Sequence, residues 1–136
     1  MIALVINLVV SDLERSRAFY AALGCEFRPI RSAGSAENLT ASDDVLAWMG
    51  IEGVPVTVHR QDFARWWNTT GAMVSPGSAV IDMTVDRDAA LALLDAVPEH
   101  GGEVLQPWRD MAWGQAYAIF ADPDGYRWGI KTDPAS

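Results

Sequence analysis

One cysteine, Cys25, stands in a chain of 136 residues, so no disulfide can close within it and no cysteine pair can hold a structural zinc. A reducing compartment suits that usage, and Cys25 reads as a small buried hydrophobe. Basic residues are also scarce: Lys and Arg number 10 against 18 Asp and Glu, a formal net charge of -8. No basic cluster exceeds two residues, and such a balance repels phosphate backbones, which excludes nucleic acid as a partner. Long apolar runs are missing as well. Nothing approaches the roughly 18 residues that a membrane span needs, and the opening "MIALVINLVVSD" has neither the basic start nor the cleavage site of a signal peptide. The expectation is a cytoplasmic protein with no membrane partner.

What remains is ordinary globular material, 50% hydrophobic and 21% charged, in a length that suits one domain with a real core. "ALVINLVV", residues 3 to 10, is nearly continuous in apolar and β-branched residues and reads as a strand. "SDLERSRAFYAALG" follows as a helix, with Ser11 and Glu14 in capping-box spacing, Leu13, Ser16, Phe19, Tyr20 and Leu23 along one side, and Gly24 as the stop. Then come "CEFRPI" as a strand, the polar stretch "RSAGSAEN", and "VLAWMGI" and "VPVTVHR" as a hairpin through "EG".

The order then repeats. "AVIDMTV" reads as a strand, "DAALALLDAV" as an amphipathic helix ended by "GG", and "EVLQPW", "AYAIFA" and "YRWGIK" as three more strands. Laying "INLVVSD" over "IDMTVDR" aligns Asn7 with Asp82, and the two halves share the order βαβββ, an internal duplication. Each copy has one helix, which covers one face of its sheet and leaves the other for solvent, a partner or a ligand. The expected fold class is therefore α+β: two tandem βαβββ modules, 1–60 and 79–136, joined by a connection over 61–78, form a curved mixed sheet around a cleft with the helices outside.

This pattern resembles the vicinal oxygen chelate superfamily, which includes glyoxalase I, extradiol dioxygenases and bleomycin resistance proteins. "NLVVSDLERSRAFYAALG" looks like that family's first strand and helix, and "WGQAYAIFADPDGYRWGI" like its final hairpin. The resemblance implies that Asn7, Thr57, Asp82 and Gly129 occupy the four positions where metal-using members carry His and Glu. These are poor metal ligands: a glycine, a neutral hydroxyl, an amide and one carboxylate. His59, two residues along from Thr57, adds one imidazole, which is still insufficient. No metal and no cofactor are expected, and the bare Gly129 suggests room for an organic guest.

Six tryptophans are unusual in this length. Trp66 and Trp67 lie in the connection, which either closes over a site or is anchored by this aromatic pair to the sheet or to a second subunit. Trp108 and Trp113 flank "RDMA", and the resemblance to the bleomycin-resistance branch implies that such residues are aromatic walls at the cleft mouth. Together with Trp48, they suit a planar ligand held by stacking, and Asp82 could pair with an amine on it. The favoured reading is a metal-independent protein that sequesters an aromatic or cationic small molecule of antibiotic type. The competing one is an enzyme of the same superfamily, a lyase, isomerase or oxygenase with an atypical metal site or with Asp82 as general base. A homodimer is implied by the resemblance alone. No nucleophile elbow or phosphate-cradling glycine loop offers other chemistry.

Overall fold

The computed structural model describes residues 1–30, 42–50, 53–71 and 75–132. "RSAGSAEN" and the Glu52 of the expected hairpin turn lie outside them. The chain divides into two compact units, Met1–Ala21 with Cys25–Ser75, and Ala22–Gly24 with Pro76–Ser136. Each contains a βαβββ run and a four-stranded mixed sheet, and three helices are present among the described residues. None of these is long and apolar enough to cross a membrane.

In the first unit β1 (Ile6–Val10), α1 (Leu13–Ala22), β2 (Phe27–Ile30), β3 (Ser42–Trp48) and β4 (Val56–Arg60) give the sheet order β1-β4-β3-β2. β1 lies parallel to β4, and the other pairs are antiparallel. The first strand is shorter than its sequence suggests, because pairing starts at Ile6, whose N–H donates to the carbonyl of Pro55, and residues before it find no ladder. Leu8 and Val10 point to one face with Val56, Val58, Leu46 and Phe27, all buried, as the two-residue period requires. α1 supplies buried Leu13, Ser16, Phe19 and Tyr20. Tyr20 meets Phe27 at 5.1 Å between ring centroids. The helix is capped by Asp12 rather than Ser11: Arg15 N–H donates to Asp12 Oδ1 at 3.0 Å, while the Ser11 hydroxyl accepts from the Arg15 guanidinium. Cys25 is buried just past α1, and burial pushes its thiol up to about 11.

In the second unit β5 (Val80–Thr84), α3 (Arg87–Glu99), β6 (Glu103–Asp110), β7 (Ala116–Ala121) and β8 (Arg127–Lys131) repeat the plan in the order β5-β8-β7-β6. Ala118, Phe120, Trp128 and Ile130 share the buried face, and α3 contributes Ala90, Leu93 and Val97 at helical spacing. Asp86 caps α3 by accepting from Ala89 N–H at 2.8 Å.

Two local devices confirm the duplication. Gly24 (φ 86°) and Gly101 (φ 94°) each stand just past a helix in the left-handed region. In both, the N–H of the next residue donates back five residues, Cys25 to Tyr20 and Gly102 to Val97. The "DPDG" turn is held by buried Asp122, whose Oδ1 accepts from the N–H groups of Asp124 and Tyr126.

The connection over 61–78 carries an element the sequence did not announce. α2 (Gln61–Trp67) starts directly after β4, with an Arg65–Asp62 ion pair along its surface. Seven residues with three bulky aromatics have little helical drive of their own, so packing against the sheet has to form it.

Candidate functional site

The face of each sheet turned away from α1 or α3 carries a polar centre. In the first unit, register sets Asn7 beside Thr57 and Val9 beside His59, so Asn7, Thr57 and His59 share the face opposite α1. Thr57 Oγ1 donates to Asn7 Oδ1 at 2.7 Å. His59 Nε2 lies 2.8 Å from Thr57 Oγ1 and 3.1 Å from Asn7 Oδ1, and with the hydroxyl proton already given to Asn7, Nε2–H is the donor toward both. His59 Nδ1 is then a buried lone pair, with no partner in the described structure. α2 accounts for its burial: Phe63 stacks on the imidazole at 6.0 Å and Trp67 meets it edge-on at 5.4 Å. The sequence left open whether Trp66 and Trp67 close a site or anchor a linker. Trp67 is an anchor on His59, while Trp66 is 76% exposed and touches Phe63.

Burial lowers the His59 pKa, because the imidazolium would lose its water under α2. Above the unfolded value both states hold a neutral ring. As pH falls through it, the unfolded chain takes up a proton that the folded one resists, so stability is lost with acidification. Urea midpoints at pH 7.5 and 5.5 are expected to drop for the native sequence, and to drop less for His59→Gln. Equal slopes would refute this account of the ring.

In the second unit, register sets Asp82 beside Gly129 and Tyr117 beside Lys131. Tyr117 Oη donates to Asp82 Oδ1 at 2.5 Å, and Lys131 Nζ stands 3.9 Å from Asp82 Oδ2. Burial first, then the hydrogen bond and charge of Asp82, push the Tyr117 phenol up to about 12, so it stays an O–H donor at neutral pH.

Gly129 corrects an expectation. It was read as vacant space for a guest, yet a Cβ there would run into Asp82 Oδ1 and Tyr117 Oη and lie 2.8 Å from Tyr117 Cζ. The room is filled by the Tyr117–Asp82 pair, and glycine is present so that this pair can lie across the strand. Sequence reasoning missed Tyr117 and Lys131.

The remaining tryptophans separate. Trp48 follows Leu46 onto the α1 face and packs on Phe27 at 5.7 Å, away from the Asn7 centre. Trp108 is half-buried under the Arg87 guanidinium of α3, 5.9 Å from its centroid, with Nε1 buried and without a hydrogen-bond partner among the described residues. Trp113 is 59% exposed and meets Tyr117 edge-on at 6.5 Å. The two indoles expected as facing walls thus attend different neighbours, because β6 twice shifts register against β7 and so breaks simple alternation.

A family model described as Glyoxalase/Bleomycin resistance protein/Dioxygenase superfamily matches residues 3–130. The chain belongs to this superfamily. No curated protein matches it. Among solved structures, a hypothetical protein from S. aureus shares 25% identity with a TM-score of 0.75, covering 98% of this chain and 95% of that one. A glyoxalase-related enzyme from Fulvimarina pelagi gives 24% and 0.74, over 98% and 88%. A glyoxalase/bleomycin resistance protein/dioxygenase family enzyme from Burkholderia phytofirmans gives 15% and 0.71, over 93% and 94%. The latter two likenesses speak for the fold alone.

The resemblance implies that metal-using members carry their donors at the places of Asn7, Thr57, Asp82 and Gly129, and the residues present here do not fit an ion. Thr57 and Asn7 satisfy each other, Asp82 is engaged by a phenol and an ammonium, and Gly129 cannot accept a side chain while they are in place. No group of three His, Cys, Asp or Glu gathers as a metal cluster among the described residues.

Proposed function

We propose that this superfamily member binds a planar aromatic small molecule without a metal, as a sequestering protein of resistance type. The observation that carries the reading is the Tyr117–Asp82 hydrogen bond across Gly129, which occupies with organic donors and acceptors the place of a metal ligand. The exposed indole of Trp113, edge-on to Tyr117, adds flat contact area, worth about 0.5–1.5 kcal/mol per aromatic pair beyond the area buried. A general-base role for Asp82 is less favoured, since its Oδ1 already accepts the Tyr117 proton.

Titration of intrinsic tryptophan fluorescence with planar aromatic natural products, before and after dialysis against EDTA, tests this reading. Saturable quenching that survives chelation is expected. Stoichiometric metal carried through purification, with binding or turnover lost on its removal, would overturn it.

A further inference from the structure

The formal charge of -8 and the carboxylate of Asp82 invite a cationic ligand, but the side chains on the second sheet argue otherwise. Register sets four residues in one row across the strands: Thr84 beside Lys131, Lys131 beside Tyr117, and Tyr117 beside Arg109. Paired residues of adjacent strands project to the same face, and neighbouring strands are about 4.8 Å apart. Lys131 and Arg109 therefore stand on either side of Tyr117 in the row, with their strands about 10 Å apart. Trp113 stands against the same phenol.

The charges around this row do not cancel. Arg109 has no ion-pair partner among the described residues, and Lys131 has only Asp82, at a distance too long for a hydrogen bond. Asp82 is attended by both Tyr117 and Lys131, so an incoming amine would have to displace an ammonium already beside it. An incoming anion would meet two cations in one row with Tyr117 between their strands, opposed by the Asp82 carboxylate beside Lys131.

Building on the aromatic-binding reading above, we infer that this face selects an aromatic ligand bearing an anionic group, a carboxylate or comparable oxyanion. Lys131 and Arg109 take the anion, and Trp113 with Tyr117 takes the ring. Asp82 does not touch the anion. It holds the phenol and orients Lys131, and its charge sets a limit on how close the oxyanion can approach.

Three naphthalene probes with one ring system and different charges test the inference on the full chain: 2-naphthoate, 2-naphthamide and 2-naphthylmethylammonium, titrated by tryptophan fluorescence or calorimetry at low salt. The carboxylate is expected to bind about tenfold or more tighter than the amide, consistent with charge-assisted hydrogen bonds, and the ammonium weakest. Arg109→Gln and Lys131→Gln should each bring the carboxylate toward the amide's affinity while leaving the amide unchanged. The unfolding midpoint of each variant establishes that it is folded. Equal binding of all three probes, or tighter binding of the ammonium, would overturn the anion assignment and leave the aromatic reading standing. No saturable binding by any of the three would overturn both.

Discussion

Trp128→Ala should destabilise the protein by about 3–5 kcal/mol, a large share of the roughly 5–15 kcal/mol that holds a typical domain folded. Trp128 is only 1% exposed, on the central strand β8, and shares its face with Ile130, Ala118 and Phe120, none exposed beyond 0%. Removing the indole takes away its transfer free energy and leaves a cavity between a sheet and a helix that can relax only in part. The control is Trp113→Ala. At 59% exposure, with one edge-on aromatic neighbour, Trp113 should change stability by no more than about 0.5 kcal/mol. Urea unfolding followed by far-ultraviolet circular dichroism measures both, and similar midpoints for the two variants would contradict this division of the tryptophans.

Gly129→Ala carries the second large effect, and its sign runs against intuition. Gly129 is not among the glycines with positive φ, so alanine fits the backbone, and in an ordinary strand the change gains about 0.5–1 kcal/mol from the unfolded state. Here the new methyl would collide with Asp82 Oδ1 and the Tyr117 phenol, so the pair has to part or the strand has to shift. A loss of about 1–3 kcal/mol is expected, as for other overpacked sites. Because the collision is with side chains, Tyr117→Ala should relieve much of it. In that background Gly129→Ala should approach neutrality, a coupling of the size that contacting residues show. A double-mutant cycle read by urea midpoints checks this, and additive single effects would exclude the steric account.

Much of the architecture could be read before any coordinates. The helical spacing of Leu13, Ser16, Phe19 and Tyr20 is the buried stripe of α1, and Gly24 and Gly101 end their helices as glycines do. Asn7 and Asp82 each lie on the strand that pairs in parallel within its own sheet, Asn7 beside Thr57 and Asp82 beside Gly129. The misses have particular causes. α2 is too short to declare itself and depends on Phe63 and Trp67 reaching His59, a contact between segments. Trp108 was misplaced because the register shifts in β6 depend on pairing with β7. Trp48 was avoidable, since alternation from Leu46 already assigns it to the packed side.

Tyr117 was legible in principle. Once "DPDG" is accepted as the hairpin turn, counting outward from it sets Tyr117 opposite Lys131 and Ile119 opposite Gly129. What the count does not reveal is that the phenol leans toward Asp82, 35 residues away in the chain. Side-chain direction of that kind is settled by the charge it finds across the sheet.

The crowding at Gly129 also constrains how this chain could change over generations. A carboxylate introduced there by one substitution would meet an occupied position and weaken the fold before offering any coordination. The phenol at 117 would have to shrink first, and the Asp82 carboxylate to swing aside, before an acidic side chain could be tolerated. A lineage moving toward ion chemistry from this sequence must take those steps in order, through forms that have lost the old bond and not yet gained the new ligand.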